Sequence, residues 1–465
     1  MLTAAVRQSA LDEPALDPFF ATLRAREFPQ LDANGLAYLD YTGSALPAMR
    51  QLRAHDELLR NAVFGNPHAE HGPSLRSTGV LETARALLLA HLDADDAEYD
   101  VAFTANATAA VKLVAESYPF TSNGVYALSA DNHNSLNGLR EYARRAGARV
   151  AYLPLDGELR LSHADAAIGE LGGPRGTRLF GFPAQSNFSG VRHPLELIGV
   201  AQRAGFDVLL DAAAYLPTSK LSLRIWHPEF VVLSFYKLFG LPTGLGALVA
   251  RRDALARLRR PWFSGGTVEY VSVQNDRHSL LSNAHGFEDG TPHFLGVAAV
   301  PAGFALLAHV GMDRLSAHVA SLTTMLLEGL LALRQADGSP MVRLYGPVDV
   351  RGRGATVAFN VIGKDGRVVP YWSVADRAQA LGVALRGGCF CNPGAAETAL
   401  GFDPAAAERC LTEASAEGEF SIRRFAGCMD DHDRTAVGAM RASLGMANNL
   451  ADVQRAVALV RSLAD

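Results

Sequence analysis

Short apolar runs and helical patterns alternate from about residue 98 to residue 250. YDVAFT is followed by a helix-like NATAAVKLVAESY, and GVYALSA by LNGLREYARRAG. RVAYLPL precedes a segment about as long as a helix, and RLFGFPA precedes ELIGVAQRAG. FDVLLDAA, FVVLSFYK and GALVARR complete the series. Apolar runs of this length read as buried strands, and their alternation with helices predicts a mostly parallel sheet covered on both faces. Ligands of such sheets lie outside the carboxyl ends of the strands. The polar residues just after each run are therefore the candidates for chemistry.

Past about residue 312 the texture changes. A long helical stretch, MDRLSAHVASLTTMLLEGLLALRQ, leads into strand-like ATVAFNVIG, helix-like VADRAQALG, a loop and a final helix, LADVQRAVALVRSL. This predicts an α/β chain in two parts: a large domain over 36–311 and a smaller α/β C-terminal domain over 312–465. Residues 1–35 are expected to form an N-terminal arm joining the small domain. The weakly polar run at 294–311 holds Pro301 and His309 and is followed by Asp313 and Arg314. It predicts a buried core helix rather than a membrane span. Residues 413–420, EASAEGEF, read as an exposed loop.

Composition narrows the function. A chain of 465 residues is too long for one small core, and 49% hydrophobic with 20% charged residues suits a soluble globular protein. The net charge of −5 gives no basic footprint for nucleic acid, and no Lys/Arg-rich run suggests a membrane-surface helix. The start, MLTAAVRQSALDEPALD, has no apolar h-region, so no signal peptide is expected. Four cysteines in so long a chain make no disulfide framework, and a reducing cytoplasm is expected.

Only four of the 43 basic residues are lysines: Lys112, Lys220, Lys237 and Lys364. Lys112 lies in a helical pattern, and Lys220 and Lys364 in turns. Lys237 alone follows an apolar run, FVVLSF, and apolar surroundings lower the proton affinity of an amine and make it nucleophilic. The other strand ends supply a matching set. Asn106-Ala107-Thr108 opens a helix and is either an anion site or a simple cap. His133 offers a flat ring for stacking, or is a satisfied core histidine. Asp211 ends a buried run, where a carboxylate needs a partner: a pyridinium N–H, a cap or an arginine. An anion site, a flat ring, a strand-end carboxylate and a nucleophilic amine together point to pyridoxal 5'-phosphate. The glycines of GLPTGLG, after Lys237, do not have the spacing of a nucleotide fingerprint and read as a turn allowing close backbone approach.

Longer stretches carry a family resemblance. LDYTGSAL, FGNPHAEHGPS, DNHNSLNGLRE, FPAQSNFSGVRHPLEL, SFYKLFGLPTGLGAL, FEDGTPHFL, GGCFCNPGA and MRASLGM resemble class V aminotransferase-fold enzymes. They are most similar to the amino-terminal, cysteine-desulfurase-like domain of molybdenum cofactor sulfurases, from about residue 36 to the end. The resemblance implies a pyridoxal-phosphate-dependent transferase of fold type I. It implies that Lys237 bonds the cofactor aldehyde, Asp211 pairs with the pyridinium nitrogen, and His133 stacks on the ring. Ala107 (through its backbone), Thr108 and Ser234 would hold the phosphate. Asn187 would contact the ring oxygen or the substrate carboxylate, and Arg441 would grip that carboxylate. Thr291 would reach a phosphate in a partner subunit, which implies a homodimer. Cys391, in a Gly/Pro-flanked loop expected to be mobile, would take sulfur from L-cysteine as a persulfide and release alanine.

Cys389 would assist or be incidental. Cys410 suits a buried inert thiol, and the four cysteines together are a weak match to a zinc site. Two positions depart from the family pattern: Ala214 stands where many desulfurases have glutamine, and Tyr236 where many have histidine. No counterpart of the sulfurases' carboxy-terminal domain is expected in this sequence, which leaves the sulfur acceptor open. Two other readings remain. One is a C–S lyase or epimerase of the same fold that uses no protein thiol. The other is a binding or scaffold protein without turnover, against which Lys237 argues.

Overall fold

Seven strands form the main sheet, in the spatial order Arg149–Leu153, Val125–Ser129, Arg178–Pro183, Asp207–Asp211, Phe230–Ser234, Gly246–Arg251 and Tyr99–Thr104. The first five run parallel, and Gly246–Arg251 is antiparallel to both of its neighbours. These coordinates are a computed structural model that describes residues 16–173, 176–415 and 418–463, apart from the side chains of residues 432 and 433. Residues 1–15 of the expected N-terminal arm lie outside the described residues.

The sequence explains the topology. Phe230–Ser234 and Val125–Ser129 are buried at every residue, as strands covered on both faces must be. Between Ser234 and Gly246 lie only the one-turn helix Phe235–Phe239 and the glycine-rich turn. That connection is too short for a crossover, so the chain returns antiparallel. The turn makes the close approach its glycines suggest: Gly240 has φ +84°, and a Cβ there would collide with the backbone of Leu46 and Pro47.

Four antiparallel strands form a second sheet, in the order Val342–Tyr345, Thr356–Val361, Ala439–Ser443 and Arg386–Gly388. Helices Met312–Leu331 and Leu450–Arg461 pack against each other beside it. The helix Pro18–Glu27 joins this side through buried Arg24, which donates to Asp452 at 2.8 Å and to the carbonyl of Ala447 at 2.6 Å.

The structure corrects three expectations. The run at 294–311 is not one helix but two, Phe294–Val297 and Val300–Val310, with Pro301 in the first turn of the second. Among the described residues no single helix is long and apolar enough to cross a membrane. Of the expected loop at 413–420, residues up to Ser415 belong to the helix Pro404–Ser415, which packs against Ile422–Asp433 as a hairpin. Cys410 is not a free thiol: it is disulfide-bonded to Cys428 across this hairpin, with Cα atoms 5.5 Å apart.

At the amino edge of the main sheet Glu229 ties strand starts together. Its carboxylate accepts from the Val208 N–H at 2.8 Å, Gln202 Nε2 at 3.1 Å and Arg251 Nη1 at 3.2 Å. Burial nevertheless dominates and pushes its pKa up to about 7 from 4.5. An acid whose pKa is raised by folding holds its proton more tightly in the native state. Its contribution to stability is complete below about pH 4.5 and is lost as pH rises to about 7. The loss is of the order of 3 kcal/mol. Urea unfolding at pH 5 and pH 7.5 should therefore show a stability decline in the wild type that is flatter by about 2 kcal/mol in Glu229→Gln.

Candidate active site

The carboxyl ends of the central strands open into one cavity of about 170 Å³. It is lined by Asn106, Ala107 and Thr108 after strand Tyr99–Thr104, His133 and Ser135 after Val125–Ser129, and Gln185 and Asn187 after Arg178–Pro183. Asp211, Ser234 and Lys237 close it from the two central strands. The parallel register pairs Asp211 with Val232. It places the carboxylate beside the end of the neighbouring strand, from which Lys237 projects within the one-turn helix Phe235–Phe239.

Burial lowers the Lys237 pKa, and Arg441 and Arg386 add to the effect, while Asp211 opposes it. The amine is thus biased toward its neutral, nucleophilic form. Burial also lowers the His133 pKa, with Asp211 opposing. The His133 Nδ1 accepts from the Ser135 N–H at 3.1 Å, which fits a neutral ring protonated on Nε2. Asp211 accepts from the Ala213 N–H at 2.9 Å.

Around Thr108 the first turn of helix Ala107–Ser117 faces the cavity. The Ala107 N–H donates to Ser234 Oγ at 2.9 Å, and Asn106 caps the helix by accepting from Ala109 at 2.9 Å. The Thr108 hydroxyl lies 2.7 Å from Ser135 Oγ. Capping and anion binding thus coexist, with the cap made by Asn106 and the hydroxyls left at the cavity wall.

Arg441 and Cys391 approach from the second sheet. Arg441 is paired across strands with Arg386, a like-charge arrangement that needs a counter-ion. Asp40 supplies it, at 2.6 Å from Arg386 Nη2 and 2.9 Å from Arg441 Nη2. The Arg441 guanidinium lies over the Phe390 ring at 4.7 Å and donates to the Asn187 carbonyl at 2.8 Å. Its Nε is buried without a partner among the described residues. Cys391 is exposed and lies in the loop that follows strand Arg386–Gly388, next to Phe390.

Thr291 stands apart. It lines a different cavity with Phe103, Lys112 and His293, and its hydroxyl accepts from Asn66 Nδ2 at 3.2 Å. Cys389 is a poor nucleophile, because burial pushes its thiol up to about 11. Among the described residues no group of three or more His, Cys, Asp or Glu is placed to hold a metal, and the disulfide takes Cys410 and Cys428 out of any four-cysteine set.

Sequence reasoning missed three members of the site: Gln185, Asp40 and Arg386. Gln185 lines the cavity and donates Nε2 to the Ala214 carbonyl at 2.9 Å, so a glutamine amide borders the wall where Ala214 stands. Its signal was present, since it follows the apolar run RLFGFPA. Asp40 and Arg386 had none, being 346 residues apart in sequence.

Fold and cavity together define an α/β protein whose ligand site lies at the carboxyl edge of a mostly parallel sheet and offers a nucleophilic amine. Residues 37–456 match the family model for class V aminotransferases, and the chain belongs to that family. It is 36% identical over 455 residues to a molybdenum cofactor sulfurase of Bos taurus, covering 93% of this chain and 50% of that protein. Its identity to the molybdenum cofactor sulfurase of Drosophila melanogaster is 35% over 474 residues, covering 94% and 59%. The chain thus spans little more than half the length of these relatives. A cysteine desulfurase from Thermococcus onnurineus has the same fold, with a TM-score of 0.78 at 23% identity over 97% of this chain and 98% of that one. The fold is type I of the pyridoxal-phosphate-dependent transferases.

The cysteine environments make a direct prediction. Iodoacetamide at pH 8 should label Cys391 at least about tenfold faster than Cys389, because alkylation follows thiolate and exposure. Cys410 and Cys428 should label only after reduction. Peptide mapping of a time course checks this, and equal rates at 389 and 391 would contradict the environments described.

Proposed function

We propose that this chain is a pyridoxal-phosphate enzyme that transfers sulfur from L-cysteine to Cys391 as a persulfide and releases L-alanine. The observation that carries the reading is the single cavity joining Lys237, Asp211, His133 and a helix N-terminus, with Arg441 and Cys391 arriving beside it.

The residues fit the cofactor. The phosphate would sit on the first turn of helix Ala107–Ser117, taking the Thr108 and Ser234 hydroxyls and the backbone at Ala107. Asp211 would hold the ring nitrogen protonated, and His133, neutral, would cover the ring without adding a competing charge. Asn187 would contact the ring oxygen. Bound there, pyridoxal phosphate supplies an electron sink for charge developing at the substrate Cα.

The remaining work falls to the chain. Lys237 would hold the cofactor aldehyde, and its amine would take the substrate Cα proton and return it to the product. Its lowered pKa suits both tasks. The orphaned Arg441 Nε–H meets the substrate carboxylate, a buried donor waiting for an anion. The Cys391 thiolate attacks the substrate sulfur. The S–S bond forms as the Cβ–S bond breaks, and Cβ takes the electron pair and then a proton to leave as alanine. A sulfur acceptor then takes up the persulfide.

We further infer a homodimer in which Thr291 serves the partner's phosphate. Two features support it. Thr291 lies outside its own chain's Lys237 cavity. Close by in sequence, the hairpin Val268–Ser272/Arg277–Leu280 and its approach expose Tyr270 at 62%, Val273 at 94% and Trp262 at 50%. Apolar surface of this kind marks an interface.

Two outcomes follow. With L-cysteine the loaded enzyme should yield alanine and protein-bound persulfide in equal amounts, and Cys391→Ser should reduce both at least about 100-fold. Pyruvate and ammonia would instead mark elimination without a protein thiol. Sedimentation should give twice the chain mass of 49.6 kDa, and Thr291→Ala should weaken cofactor affinity about tenfold at unchanged mass. A monomer that binds the cofactor fully would remove the shared-site reading.

A further inference from the structure

The loop carrying Cys391 was expected to move, yet its backbone is tied down on every side. Phe390 and Cys391 both lie at positive φ, +55° and +57°, a conformation that side chains other than glycine adopt only when their surroundings impose it. The surroundings are visible. The Phe390 carbonyl accepts from Asn187 Nδ2 at 2.6 Å. The Cys391 carbonyl accepts from the Asn134 N–H at 2.7 Å, and the Asn392 N–H donates to the Cys389 carbonyl at 2.9 Å. A Cβ on Gly394 would strike the Ala130 carbonyl, so the helix Pro393–Leu400 starts in direct contact with the loop after strand Val125–Ser129.

One side chain gathers these ties. Asn392 is fully buried, and its Nδ2 donates to Asp131 Oδ1 at 2.6 Å and to Asn187 Oδ1 at 3.0 Å. Its Oδ1 accepts from the Ala395 N–H at 3.3 Å. Asp131, also fully buried, is fixed by Ser186 Oγ at 2.8 Å and His193 Nε2 at 2.8 Å. Asp131, Ser186 and His193 do not themselves line the Lys237 cavity. They belong to the ends of two adjacent strands that also build the cavity. Apart from His193 Nδ1, which is buried without a partner among the described residues, the network's side-chain polar atoms are paired, and such a network favours one arrangement.

We propose that Asn392 is the positioning residue for the nucleophile. With the Asp131–His193–Ser186 cluster it clamps the Cys391 loop onto the strand ends, so the thiol is delivered by a fixed loop rather than by a moving one. The proposal rests on the reading of Cys391 as sulfur acceptor, and it says how this chain sets the thiol's approach. Asn187 is the shared member: one of its amide atoms holds the Phe390 carbonyl and the other the Asn392 amide, while its own carbonyl is held by Arg441. The loop carrying the thiol and the guanidinium facing the substrate carboxylate are therefore positioned by the same residue.

Amide exchange on the wild-type holoenzyme tests the clamp without any variant. The Asn134 N–H lies in the first turn of its helix and has no intrahelical partner. Among the described residues its one hydrogen-bond acceptor is the Cys391 carbonyl, and a clamped loop makes it exchange as slowly as the helix interior. Exchange at the unprotected rate would overturn the proposal. In Asn392→Ala this protection should fall at least about tenfold. Single-turnover persulfide formation should drop about 10- to 100-fold, with the bound-cofactor spectrum and the KM for cysteine unchanged. A variant with the wild-type persulfide rate would also overturn the proposal. If Cys391→Ser still released alanine, the desulfurase reading would fall, while the exchange result would continue to judge the clamp.

Discussion

The parallel pairing of Asp207–Asp211 with Phe230–Ser234 is the constraint on which the site depends. Its register fixes how far the Asp211 carboxylate stands from the strand end that launches Lys237. A slip of two residues would separate the anion from the amine. Both strands are apolar along their buried length, so neither can shift without exposing core or burying charge. The chemistry is thus held by the same burial that stabilises the sheet.

A second constraint is charge balance where the smaller sheet meets the cavity. Two arginines on facing strands would repel each other, and Asp40 between them resolves this while leaving the buried Arg441 Nε unsatisfied. A guanidinium whose charge is compensated on one side only stays receptive to an anion on the other. Phe390 beneath it adds a ring face that favours the cation without competing for its donors.

What the sequence made legible was local. Lys237, Asp211, His133 and Thr108 each follow an apolar run within a few residues, and the rule that ligands meet strands at their carboxyl ends singles them out; Ser234 and Asn187 enter through the family resemblance, and Gln185, which follows RLFGFPA, carries the same signal but was missed. Asp40, Arg386 and Asn392 could not be read in this way. Their partners lie hundreds of residues away in the chain, and nothing in LDYTGSAL or NPGA announces which group they will face. The short strands Val342–Tyr345 and Arg386–Gly388 escaped for a related reason. With four and three residues they carry too little pattern to separate from loop, and they exist because neighbouring strands pair with them.

The cysteines show the same limit at the level of single atoms. GGCFC contains two thiols two residues apart, and spacing alone ranks neither. The structure separates them by solvation. Burial pushes the Cys389 thiol up to about 11, while Cys391 is exposed and at a strained backbone angle. Alternation along an extended chain would have pointed both side chains the same way. Two consecutive left-handed residues, Phe390 and Cys391, break that alternation. Backbone strain held by hydrogen bonds to Asn187 and Asn134 is therefore what gives one of two neighbouring thiols the exposure a nucleophile needs and leaves the other inert.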